Sequence, residues 1–148
     1  MTPPEIGATR PAPPPPPPAP GPLRAARVIL DRPGTIEGPG WARCVALLAR
    51  QALDDAVSAF WDRRVPGMAG ASGRSQLVAL RFYVDDPALA RHAHQTWATL
   101  SDATHHHGYE LAPTAGELRA WLEAVSRIVE RLGAHDSEAA PPAGSPPV

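Results

Sequence analysis

The residues best suited to chemistry gather in the stretch SDATHHHGYELAPT, Ser101 to Thr114, where His105, His106 and His107 stand in a row before Gly108 and Tyr109. Three chemistries compete for them. A zinc site needs three or four ligands converging at about 2 Å, whereas consecutive helical residues point about 100° apart, so the triplet cannot converge while helical. The helix-borne alternative is a pair three or four residues apart, which His92, His94 and the triplet supply only by enlisting Asp102 with His105 or His106. No metal site and no cofactor is therefore expected. A general base needs only one imidazole, because that ring titrates near neutrality. A helix end needs none in particular, since any cationic imidazole there interacts favourably with the terminal carbonyls.

The helix that carries the stretch decides how the three divide. Asp86-Pro87 is a start signal, an N-cap acid followed by proline at the first helical position, where the missing N–H costs nothing. From there an apolar stripe runs through Leu89, Ala93, Trp97, Leu100 and Thr104, and one further turn reaches His107. His105 and His106 are then expected to face water near the helix end, and Gly108 to terminate the helix. Only His107 inherits the apolar side.

Three other helices must position this one. Trp41, Val45, Leu48, Ala52, Ala56 and Phe60 recur at helical spacing up to Arg64, with Arg43, Arg50, Asp54, Asp55 and Asp62 opposite. Pro66-Gly67 breaks that helix, and Ser72 or Ser75 caps a shorter one with Leu77, Leu80, Val84 and Phe82 as apolar contacts. The last helix opens with Thr114 and Glu117 at capping-box spacing. It continues through Leu118, Trp121, Leu122, Val125, Val129 and Leu132, and Gly133 is read as its C-cap. The pattern predicts an all-α chain, an antiparallel four-helix bundle over residues 40–133. At least three of Trp41, Phe60, Trp61, Trp97 and Trp121 are expected in its core.

The flanks cannot join that bundle. Of the 20 prolines in 148 residues, 13 precede Trp41 and 4 follow Gly133. Residues 1–22 contain Pro13 to Pro18, which offer no backbone donors and predict a polyproline rod of about 19 Å in a disordered arm. Residues 23–39 are read as a partly ordered linker with no assigned state, and 134–148 as a disordered tail. The chain has no lysine, and the bundle region balances 10 arginines against 10 acids, so it lacks the footprint of a duplex-DNA binder. Its absence of lysine and asparagine and its wealth of alanine and proline suit a GC-rich bacterial genome. With one cysteine, Cys44, no internal disulfide forms. No apolar run reaches the ~20 residues that span a bilayer, and no secretory core is present, so a cytoplasmic protein without a membrane partner is expected.

Weaker constellations have structural explanations. Asp54-Asp55 reads as a solvated helix face and Asp85-Asp86 as a helix start. Ser101, Asp102 and His105 have the letters of a hydrolase triad without the elbow that makes a serine reactive. The glycines of VPGMAGASGRS lack the lysine of a phosphate loop.

The segment SDATHHHGY resembles the HEPN superfamily, small four-helix bundles of nucleic-acid-linked and defence systems whose pattern is R-N-x-x-x-H, often followed by x-Y. His107 falls on the histidine and Tyr109 on the tyrosine, while Asp102 stands at the arginine position and Ala103 at the next. In active members the resemblance implies metal-independent RNA cleavage. The histidine assists 2′-hydroxyl attack on the adjacent phosphate and the arginine stabilises the phosphorane, in a cleft built across a homodimer. Asp102 opposes that second role, because a carboxylate near a phosphate is repulsive. The resemblance therefore implies a non-catalytic binding or regulatory module for RNA or a protein partner, with His107, Asp102 and Tyr109 at its site. Two alternatives stay open: a ribonuclease using Arg91 or Arg119 as a relocated cation, and an interaction bundle with no site.

Overall fold

The computed structural model describes residues 21–35, 38, 40–68, 70–105 and 111–138. Within them the chain is all-helical, with α1 (Pro22–Asp31), α2 (Trp41–Arg64), α3 (Gly73–Leu80), α4 (Pro87–His105) and α5 (Ala115–Glu138). Four helices are expected from the sequence and five are found. The additional one, α1, occupies part of the segment read as a linker. Pro22 opens it at a position where a proline costs nothing, and the steric demand of Pro33 on Arg32 closes it. Ala26 and Leu30, a turn apart, are buried against the rest of the core.

The long helix α2 is central, packing on α1, α3, α4 and α5. It buries Val45, Ala49, Ala52, Leu53, Val57, Phe60 and Trp61, a wider stripe than periodicity on one side suggests, and its alanines let neighbouring helices approach closely. Burying one side chain such as Leu53, Phe60 or Leu100 stabilises the fold by about 1.5–3 kcal/mol. At least three of the five bulky aromatics are expected in the core, but only two are fully buried, Phe60 and Trp61, edge to face at 5.3 Å. Trp41, Trp97 and Trp121 are partly buried and pack against the core from its margin.

The helix starts follow their sequence signals. Ser72 Oγ accepts from Ser75 N at 3.2 Å at the head of α3, and Asp86 Oδ1 accepts from Ala88 N at 2.8 Å at the head of α4. Before α5, Glu117 N donates to Thr114 Oγ1 at 3.2 Å and Thr114 N to Glu117 Oε2 at 2.8 Å, the reciprocal capping box. At the other end of α5 the reading is corrected. Gly133 does not terminate the helix, which runs on to Glu138. A glycine inside a helix costs about 1 kcal/mol, and beyond it Arg64 of α2 donates to His135 O at 3.2 Å. Of the regions read as a disordered arm (1–22) and tail (134–148), Pro22 falls in α1 and residues 134–138 in α5, while 1–20 and 139–148 lie outside the described residues. No helix among the described residues is long and apolar enough to cross a membrane.

Candidate functional site

The stripe on α4 is as expected as far as the helix goes: Leu89, Ala93, Leu100 and Thr104 are buried, with Trp97 partly so. The described part of the helix runs to His105. His107 and Tyr109, two of the three expected site residues, lie outside the described residues, as does His106. Asp102, the third, is exposed on the last turn of α4.

Local hydrogen bonds shape this last turn. Ser101 Oγ donates to Trp97 O at 2.7 Å, and Thr104 Oγ1 donates to Ser101 O at 2.8 Å. His105 Nδ1 lies 2.7 Å from that same carbonyl. A carbonyl only accepts, so Nδ1 carries the proton, and the exposed ring closes the helix end as a donor. Ser101 is thereby spent on the backbone of Trp97, and the letters Ser-Asp-His form no triad. Among the described residues no three His, Cys, Asp or Glu side chains are grouped to hold a metal ion.

Asp102 opens onto a cleft between the end of α4 and the start of α5. Thr99, Asp102 and Ala103 line it from α4 and Glu117 and Trp121 from α5, with Leu111 to Thr114 at its edge. Both ionisable groups among these lining residues are carboxylates. The N–H of Thr114, then its hydroxyl, hold the Glu117 carboxyl below its ordinary value, so it is anionic at neutral pH. A cleft with this lining repels a phosphate and attracts a cation or a donor-rich partner surface.

Neither candidate for a relocated cation lines the cleft. Arg91 stands eleven residues before Asp102 on the same helix, about 16 Å away along its axis. Arg119 is exposed on α5. Instead, Arg91 belongs to the far end of the α4/α5 groove, where it meets His92, Gln95, Arg127 and Arg131. The groove is thus acidic where late α4 meets early α5, and basic where early α4 meets late α5. The sequence contained a signal for the basic end that went unread: Arg91 with Gln95, and Arg127 with Arg131, are i, i+4 pairs on the polar edges of two amphipathic helices.

Asp54 also departs from the reading of a solvated face. It is partly buried, and its Oδ1 accepts from Trp97 Nε1 at 2.9 Å. No protein-family model, curated protein or solved structure matches this chain.

Proposed function

We propose that the chain is a HEPN-like helical module, an antiparallel four-helix bundle with α1 added, that binds a partner without cleaving it. The observation that carries the reading is the exposed Asp102 carboxylate in a cleft shared with Glu117. Where the resemblance puts an arginine to neutralise a phosphorane, this chain supplies negative charge from α4 and α5, and electrostatic stabilisation of that transition state requires the opposite sign. His107 and Tyr109, which follow Asp102 in sequence, then serve recognition. The partner is a protein, or an RNA approached through donor groups of its bases and ribose and not through its phosphates, met by a cytoplasmic monomer or homodimer.

The competing enzyme reading, a ribonuclease using His107 with Arg91 or Arg119 as the relocated cation, rests on the sequence alone. A metal-free assay on single-stranded RNA tests the proposal. The full chain and His107→Ala should show the same background; cleavage that disappears in His107→Ala, and again in Arg119→Ala, overturns it.

A further inference from the structure

Three shallow pockets at the other end of α4 from the acidic cleft share lining residues and form one track. Val78 belongs both to the pocket of Arg74 and Phe82 and to the pocket of Arg81 and His94. Arg91 belongs both to the latter and to the groove of His92, Arg127 and Arg131. The track therefore runs from α3 over α4 to α5, with one lining residue shared at each step.

Its charge is unbalanced although the domain as a whole is neutral. Arg91 and Arg127 have no carboxylate partner among the described residues, and Arg74 is exposed and likewise unpaired. Arg131 alone is neutralised, by Asp86, which also caps α4. Asp85 is exposed beside that cap; Glu123 and Glu130 are exposed on α5, but none of the three lines the track. Arg74, Arg81, Arg91 and Arg127 thus line one path, with Glu123 and Glu130 one helical turn from Arg127 on α5.

An aromatic ring stands at one end of that path. Phe82 is 71% exposed, in contrast to the apolar contact expected from the sequence. The guanidinium of Arg81 lies over its ring at 4.5 Å. The turn that presents Phe82 is anchored from behind, since Tyr83 packs edge to face on buried Trp61 at 4.8 Å. An exposed ring costs little to stack upon when its backbone is already fixed.

We infer that this track binds a single-stranded nucleic acid, with its phosphates along Arg74, Arg91 and Arg127 and a base stacked at Phe82. A basic path combined with an exposed aromatic is what sequence-tolerant single-strand binding requires. A duplex hides its base faces and would leave Phe82 without a role. An acidic polypeptide would satisfy the arginines but offers no flat ring to stack. The inference does not rest on the reading of Asp102, because the track and the acidic cleft occupy opposite ends of α4.

Fluorescence anisotropy of the full chain with labelled twelve-nucleotide oligo(U) and oligo(dT) tests it, with a duplex of equal length and polyglutamate as competitors. Single strands should bind at low salt and out-compete both. Arg91→Glu with Arg127→Glu should weaken binding by about tenfold or more and flatten the salt dependence by about one unit of slope per lost phosphate contact. Phe82→Ala should weaken it by about tenfold without changing that slope. A double reversal of equal charge at exposed Arg24 and Arg43, off the track, should leave binding unchanged. Circular dichroism of each variant separates loss of contact from loss of fold. Absence of binding, equal loss in the Arg24/Arg43 control, or equal competition by duplex or polyglutamate overturns the inference. The ribose and deoxyribose arms show which sugar the track prefers.

Discussion

Trp97 on α4 donates its indole N–H to Asp54 Oδ1 on α2 at 2.9 Å, a polar bond across an interface that is otherwise apolar. Arg50, one turn before Asp54, lies over the Trp97 ring at 4.9 Å and brings its Nε to 3.7 Å from Asp54 Oδ2. Gly73 opens α3 against this pair: a methyl group there would stand 3.2 Å from Asp54 Oδ1. Three helices thus meet at one carboxylate, which fixes how α4 lies on α2 and where its last turn, with Asp102, ends up.

That carboxylate carries a stability cost that depends on pH. Burial pushes the Asp54 carboxyl above its ordinary value, against the lowering effects of the Trp97 hydrogen bond and Arg50. A carboxyl raised on folding contributes stability that is fully present below its unfolded value and is lost as pH rises through its folded value. Asp54→Asn keeps an acceptor for the indole and removes the charge. Its urea midpoint should exceed that of the native chain at neutral pH, with the gap closing below about pH 3. A lower midpoint at neutral pH would show that the Arg50 pair outweighs desolvation.

The loop between α2 and α3 depends on one buried amide. Gln76, 3% exposed, donates from Nε2 to Met68 O at 3.1 Å and Ala71 O at 3.0 Å, and its Oε1 accepts from Ser58 Oγ at 3.3 Å. Gln76→Leu conserves bulk but strands both carbonyls. It should lower unfolding free energy by about 1–3 kcal/mol and speed proteolysis within residues 66–72. Denaturant titration and limited proteolysis read the two effects.

The N-terminal boundary of the domain follows from α1. Leu30 and Ala26 are buried, Leu23 and Ile29 pack against the core, and Arg27 donates to Ser126 on α5. A chain beginning at residue 40, the boundary expected from periodicity, should lose about 2–4 kcal/mol of stability, whereas one beginning at residue 21 should melt like the full chain. Equal melting of all three would remove α1 from the domain.

Sequence legibility tracked local physics. Helix starts were readable at Ser72, Asp86 and Thr114, because a capping side chain and its N–H partner lie within three residues of each other. α1 was not readable: its ten residues are too few to show a period, and only contact with α2 and α5 makes them helical. Asp54 was misread because its partner is 43 residues away. Phe82 was misread because a turn, not a helix, carries it. At the candidate site the sequence pointed to the end of α4, but the acidic cleft required Glu117 to be brought beside Asp102 by the fold, and His107 and Tyr109 lie outside the described residues.

The central claim, that the end of α4 binds without cleaving, is tested most directly by a time course of end-labelled single-stranded RNA. The native chain should be in excess, a chelator present, and His107→Ala run in parallel. The account predicts intact RNA in both lanes throughout. A ladder of products ending in 2′,3′-cyclic phosphate, present with the native chain and absent with His107→Ala, would contradict it.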